Sequence, residues 1–207
     1  MVDSALRTTY LGGVTMTSRE WPKYIGLTGK ARAGKDTAAK LLSLHGYCQV
    51  AFADKVRECL YNLNPLVMSD TGDLEDLQSL LSSRYGYTWE TIKGTQWGDH
   101  IRSLLQRMGT EAGRNTIGEN VWIEAIDLDH PDNKYAISDV RFPNEAEHIR
   151  SKGGVVIRIE RNGSGLSTEH SSEAMEFEAD YTVYNNGTMT ELRNQLAEVL
   201  NHASQLR

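Results

Sequence analysis

Nine consecutive residues carry the clearest chemistry in this chain: Gly29, Lys30, Ala31, Arg32, Ala33, Gly34, Lys35, Asp36 and Thr37. Their spacing is GxxxxGK, with Asp36 where a serine or threonine usually follows and a hydroxyl, Thr37, one position later. Glycines let a backbone wrap a polyphosphate with successive N–H groups aimed inward, and a following helix adds the positive end of its dipole. Lys35 would reach the β- and γ-phosphates, and Asp36 and Thr37 could serve Mg²⁺ directly or through water. A glycine-rich turn without a ligand is the plainer alternative. The apolar run 24–28 before the loop and the helical pattern from 37 onward supply the strand–loop–helix context that the phosphate reading requires.

A phosphate loop names a nucleotide and leaves the reaction open. Ser138-Asp139-Val140-Arg141 follows a buried apolar run about a hundred residues downstream. Asp139 there could orient Mg²⁺ or accept a hydroxyl proton, and Arg141 could clamp a phosphate. Alternatively, Asp139 simply caps the helix opened by Pro143. Arg102, Arg114, Arg158 and Arg161 form a further set drawn from separate segments. Phosphoryl transfer is mostly positioning and charge neutralisation, so dispersed arginines suit it. Arg107 and Arg150 read as solvated surface charges. Tyr85, Tyr87, Trp89 and Trp97 could stack an acceptor base or form a local core, Trp122 reads as core, and Cys48 and Cys59 read as buried packing residues.

Alternating short strands and helices position these groups. Strands are expected at 24–28, 48–52, 135–139, 155–159 and 181–184. Helices are expected from 37, over 54–62 with Asp54 as cap, over 73–84 (Leu74, Leu77, Leu80 and Leu81 at helical spacing), over 99–108, from Pro143, and over 188–206. That alternation argues for an α/β fold with a parallel sheet. Residues 1–23 read as a polar N-terminal extension, within which Met16 offers an alternative start.

The 207 residues suit one domain, and 39% hydrophobic with 24% charged residues permits a sizeable core. A net charge of −6 speaks against nucleic acid or an anionic membrane as general partners, although fourteen arginines to eight lysines favours bidentate phosphate recognition. Two cysteines without CxxC spacing, and histidines at 45, 100, 130, 148, 170 and 202 without HExxH spacing, argue against a disulfide scaffold or structural zinc. No apolar run approaches the ~20 residues of a membrane span. A cytoplasmic protein is expected.

Taken in order, these segments resemble a known family. Residues 25–39 with GKDT in place of GKST, Phe52-Ala-Asp-Lys, 105–114 (LQRMGTEAGR), 138–147 (SDVRFPNEAE), His170-Ser-Ser-Glu and Asn185-Asn-Gly-Thr resemble the bacteriophage deoxynucleoside monophosphate kinases over about residues 24–200. The resemblance implies a P-loop, nucleoside monophosphate kinase-like fold: a five-stranded parallel sheet of order 2-3-1-4-5 flanked by helices. Residues 24–207 would be one domain with a substrate-binding insertion at about 64–120 and a lid at about 161–173. It further implies ATP and Mg²⁺, a deoxynucleoside monophosphate acceptor, a homodimer, and the host cytoplasm for a phage-encoded chain.

Carried onto this sequence, the resemblance gives residues 29–37 to ATP and places Asn185, Asn186 and Gly187 near its adenine. Gln106, Thr110, Glu111 and Arg114 would face the acceptor, and Asp139 and Arg141 would sit between the two nucleotides. Arg102, Trp89 and Trp97 are further substrate contacts on the reading of the residues themselves, since the insertion 66–98 matches the family least. Lys35, Arg114, Asp139, Arg141 and Arg161 would carry catalysis, and Asp36, Thr37 and Asp139 the metal. Gly163, Gly165 and His170 would belong to the lid. The leading expectation is therefore ATP + dNMP → ADP + dNDP. Rivals are another small-molecule P-loop kinase, acting on dephospho-coenzyme A or a ribonucleotide, and a non-catalytic ATP-binding regulatory module.

Overall fold

The computed structural model describes residues 9–11, 14–16, 21–163 and 177–206. The chain divides into two compact units, Met1–Val50 with Asp129–Arg207, and Ala51–Leu128.

The first unit is built on five short strands, the inner three largely buried and the two at the edges partly exposed. They are β3 (Tyr24–Thr28), β4 (Tyr47–Val50), β7 (Lys134–Ile137), β8 (Val155–Glu160) and β9 (Tyr181–Tyr184), and they form one sheet in the order β4-β7-β3-β8-β9. Every pairing is parallel. Counted within the sheet the order is 2-3-1-4-5, as the resemblance implied. Strand β3 is central and buried at all five positions, as a parallel strand covered on both faces must be. Ahead of the sheet, β1 (Thr9–Leu11) and β2 (Val14–Met16) pair antiparallel inside the expected polar extension.

The helices of this unit are α1 (Lys35–Ser43), α6 (Pro143–Ser151) and α7 (Met189–Gln205). Leu41 and Leu42 of α1 and Leu192, Leu196 and Leu200 of α7 join Ile25, Leu27, Ile157, Ile159 and Val183 of the sheet in one core. Helix α7 begins with a reciprocal cap: Glu191 N–H donates to Thr188 Oγ1 at 3.2 Å, and Thr188 N–H donates to Glu191 Oε2 at 2.6 Å. Helix α6 begins at Pro143, where a missing N–H leaves nothing unsatisfied. Its N-cap is Phe142, so Asp139 is not the cap of this helix.

The second unit holds α2 (Ala53–Leu63), a two-stranded ribbon of β5 (Leu66–Met68) and β6 (Leu74–Asp76), α3 (Leu77–Leu81), α4 (Gly98–Gln106), a π-helix (Arg107–Ile117) and α5 (Val121–Ala125). Its core gathers Leu60, Val67, Leu77, Leu80, Ile92, Trp97 and Ile101.

Several expectations are corrected here. The helix foreseen over 73–84 is a strand followed by one helical turn and a half. Ser69 N–H donates to the Asp73 carbonyl at 2.9 Å, closing a hairpin that pairs Leu74 with Met68 and leaves Leu74 exposed. Asp76 then caps α3 by accepting Ser79 N–H. Helix α2 starts one residue before Asp54, whose Oδ2 accepts Ala51 N–H from the first turn instead of capping. Cys48 and Cys59 are exposed, not buried: Cys48 lies on edge strand β4, and Cys59 lies off the α2 face that buries Val56 and Leu60.

Candidate active site

The strands of a parallel sheet end on one edge, and ligands of such sheets collect outside their C-terminal ends. Four sequence-derived segments start there: 29–37 after β3, Ser138–Arg141 after β7, Arg161 after β8, and Asn185–Gly187 after β9.

The phosphate loop is fixed from two sides. Gly29 has φ +139°, and a Cβ there would drive into the Ile159 carbonyl of β8; Gly34 has φ +105°, and a Cβ there would strike Asn185 Nδ2. Both positions therefore require glycine on conformation and on space. Arg32 also has positive φ, +65°. Lys35 Nζ donates to the Gly29 carbonyl at 2.7 Å and to the Lys30 carbonyl at 3.2 Å, so the ammonium lies folded over its own loop. Asp36 is exposed and Thr37 half-buried in the first turn of α1, while Ala33 is fully buried.

Asn185 is bonded to this loop across 152 residues of sequence: its Nδ2 donates to the Ala33 carbonyl at 2.8 Å. Its backbone N–H donates to the Glu160 carbonyl at 2.7 Å, and Asn186 Oδ1 accepts Asn162 N–H at 2.7 Å. The Asn-Asn-Gly turn thus ties the end of β8 to the phosphate loop.

Asp139 is half-buried between two anchored neighbours. Ser138 N–H donates to the Val50 carbonyl and Val140 N–H to the Leu27 carbonyl. Arg141 is exposed, and its backbone N–H donates to Glu145 Oε2 at 2.8 Å; Phe142 N–H donates to the same oxygen at 3.1 Å. Glu145, 4% exposed, therefore shapes the loop that presents Asp139 and Arg141. Sequence reasoning missed it, although a proline at the first helical position with glutamate two residues later was the available signal.

Arg158 Nη2 donates to the Phe177 carbonyl at 2.7 Å, so its guanidinium anchors the chain ahead of β9. Arg150, expected at a solvated surface, bonds Asp180 and the Glu178 carbonyl, and Asp180 Oδ2 in turn accepts Val156 N–H. Of the expected lid, Arg161, Asn162 and Gly163 are described; residues 164–173, including Gly165 and His170, lie outside the described residues.

In the second unit, Gln106, Thr110 and Arg114 follow at four-residue spacing, the first at the end of α4 and the others on the π-helix. Gln106 and Thr110 are half-buried, while Arg114 is 8% exposed with Nη1 donating to the Glu119 carbonyl at 3.0 Å. Glu111 is exposed and faces Arg107 at 3.6 Å. Arg102 donates to Asp99 Oδ1 and to the Lys93 carbonyl. Trp97 is 3% exposed and packs inside the unit core, as the local-core reading of this cluster expected. Trp89, Tyr85 and Tyr87 pack partly against that core; Tyr85 and Tyr87 stack at 6.2 Å, and Tyr85 donates to Glu75. Trp122 is buried as expected, with its indole N–H donating to the Gly109 carbonyl at 2.7 Å.

Among the described residues no three acidic, histidine or cysteine side chains form a metal-binding group. Mg²⁺ at phosphate sites takes one or two carboxylates together with substrate phosphates. Asp36, Thr37 and Asp139 supply such a set of hard oxygens at the phosphate-loop edge of the sheet, so the donor chemistry fits. Among the described residues no helix is long and apolar enough to cross a membrane.

The sheet order and the glycine loop at its central strand define a P-loop nucleotide-binding fold. Residues 87–196 match the family model described as deoxynucleotide monophosphate kinase. A protein of Acanthamoeba polyphaga mimivirus, provisionally named for that activity, is 29% identical over 201 residues, covering 88% of this chain and 98% of that one. The deoxynucleotide monophosphate kinase of Escherichia phage RB69 is 29% identical over 109 residues, covering 48% of this chain and 44% of that one. The deoxynucleoside-5′-monophosphate kinase of Escherichia phage T5 is 45% identical over 53 residues, covering 24% and 21%. This chain belongs to the deoxynucleotide monophosphate kinase family.

Proposed function

We propose that the chain transfers the γ-phosphoryl group of ATP to the 5′-phosphate of a deoxynucleoside monophosphate, giving ADP and the deoxynucleoside diphosphate. The observation that carries this reading is the phosphate loop, braced against β8 and Asn185 with Lys35 folded over it. The inward N–H groups of residues 29–37 bind the donor triphosphate, and Lys35 exchanges its two loop carbonyls for β- and γ-phosphate oxygens. Asn185, Asn186 and Gly187 border the adenine.

Asp36, Thr37 and Asp139 would hold Mg²⁺, which supplies charge neutralisation on the transferring group when bound. The acceptor oxygen is already an anion near neutral pH, so transfer needs no strong general base. One P–O bond forms to that oxygen as the bond from γ-phosphorus to the ADP oxygen breaks. Gln106, Thr110, Glu111 and Arg114 hold the acceptor, with Arg102 and Trp89 as further contacts, while Arg141 and Arg161 offset the repulsion of two polyanions. Small molecules are the partners on this reading, and the net charge of −6 supports leaving nucleic acid out. A homodimer in the host cytoplasm is expected on the family resemblance alone.

Lys35→Ala tests the reading. With its melting temperature unchanged, the variant should lose about 10²–10³ in kcat, the loss typical of one charge-stabilising donor. The assay is acceptor-stimulated ADP release with a panel of deoxynucleoside monophosphates, ribonucleotides and dephospho-coenzyme A. Full activity in Lys35→Ala, or ADP release stimulated only by the latter two, overturns it.

A further inference from the structure

The π-helix Arg107–Ile117 needs an explanation of its own. Runs bonded i→i+5 are rare and mostly last a single turn, often at functional sites. Here eleven residues adopt that conformation, so contacts from outside the helix must hold it open against relaxation to an α-helix.

Trp122 makes those contacts. Its Nε1 donates to the Gly109 carbonyl at 2.7 Å, and its ring approaches Gly113 so closely that a Cβ there would come within 2.7 Å of Nε1 and Cε2. One indole therefore spans successive turns, with a hydrogen bond at Gly109 and a close approach at Gly113. At the far end, Gly118 N–H donates to the Gly113 carbonyl at 3.1 Å and Arg114 to the Glu119 carbonyl. Gly109 and Gly113 each precede an acceptor residue, Thr110 and Arg114, by one position. Any slip of the indole along the helix turns both side chains, because rotation about a helix axis is shared by every residue on the turn.

We infer that Trp122 is a positioning residue: its indole fixes the π-register that aims Thr110 and Arg114 at the acceptor. The inference rests on the acceptor assignment proposed above. Sequence alone marks Trp122 only as core, since neither the π-register nor the bond to Gly109 leaves a trace in residue periodicity.

The test uses Trp122→Phe and, as a shape-preserving second variant, benzothienylalanine at position 122, which replaces the indole N–H by sulfur. Loss of one hydrogen bond predicts about a five- to tenfold rise in KM for the deoxynucleoside monophosphate. The Kd for ATP should stay within about twofold, because ATP binding is assigned to the other unit. Amide hydrogen exchange across 107–117 should speed up by a similar factor in both variants. Folded variants with unchanged acceptor KM overturn the inference, as does a loss of ATP affinity by the same factor, which would indicate general loosening. Should the wild-type chain use no deoxynucleoside monophosphate, the acceptor assignment falls and the positioning role falls with it. The exchange measurement still separates that failure from an error about the π-helix.

Discussion

Asn185→Ala isolates the contact that joins the last turn of the sheet edge to the phosphate loop. The side-chain amide donates to the carbonyl of Ala33, a residue with no exposed surface, at 2.8 Å. The backbone N–H of residue 185 keeps its bond to the Glu160 carbonyl in the variant, so the end of β9 stays in place. What is lost is one neutral hydrogen bond to a carbonyl that then has no other route to the amide donor. Such a loss costs about 1–2 kcal/mol, and the space vacated beside Gly34 lets the loop sample wider conformations. The loop's N–H groups are the proposed donor ligands, so the cost should appear as ATP affinity weakened about five- to thirtyfold at 1.4 kcal/mol per decade.

Two readouts make the claim specific. Calorimetric Kd values for ATP, GTP and inorganic tripolyphosphate should weaken by similar factors, because the contact shapes the phosphate cradle and not the base. A loss confined to ATP would mean that Asn185 reads the adenine directly. Asn185→Asp should be worse than Asn185→Ala, since it turns an acceptor with negative charge toward a carbonyl and the incoming phosphates. Wild-type affinity for all three ligands in a folded Asn185→Ala variant refutes the bracing role.

Arg114→Met removes a buried guanidinium that donates to the Glu119 carbonyl; kcat/KM for the deoxynucleoside monophosphate should fall about ten- to hundredfold, with the Kd for ATP unchanged in the same titration. His45 lies edge-on to Trp21 at 5.2 Å, among Leu41, Leu42, Leu196 and Leu200, and its pKa is held below the ordinary 6.5 by burial first and the Arg193 charge second. The unfolded chain therefore binds the proton more readily, and melting temperature should decline as pH falls below about 6.5 toward the lowered native value. His45→Phe should flatten that slope in thermal scans between pH 5 and 8, and an unchanged slope contradicts the assignment.

Parallel strands were legible because they read as short runs of apolar, aromatic and β-branched residues: 24–28 matches the buried β3 at both ends, and 181–184 matches the edge strand β9. The phosphate loop was legible for a related reason, since its function is carried by contiguous residues. The ribbon β5–β6 was not, because Leu74, Leu77, Leu80 and Leu81 satisfy helical spacing while the turn at Gly72 decides the local structure. The cysteines misled because small apolar residues are usually buried, whereas edge position and helix face, both tertiary properties, left these two outside. Trp97 offered an aromatic ring to either reading, and only its packing with Leu60, Leu77 and Ile101 separates core from platform. The Asn185 contact spans too much sequence for any local pattern to reveal it.

The two sets of proposed nucleotide contacts are held by different physics. The donor loop is braced by main chain, with Gly29 pressed to the Ile159 carbonyl, Ala33 bonded to Asn185, and both flanks continuous with the central strand and α1. A polyphosphate looks the same whatever base it carries, so a cradle of N–H groups fixed by glycine geometry serves it without side-chain identity. The proposed acceptor residues instead ride on a helix against which one indole packs, bonded at Gly109 and pressed close to Gly113. On the proposed assignment, substitutions around Trp89, Thr110 or Trp122 should change acceptor choice while leaving the phosphate cradle intact. The reverse is harder, because changing Gly29 or Gly34 collides with backbone or with Asn185 before any question of specificity arises. On that logic acceptor selectivity is the property of this chain most open to change, and phosphate binding the least.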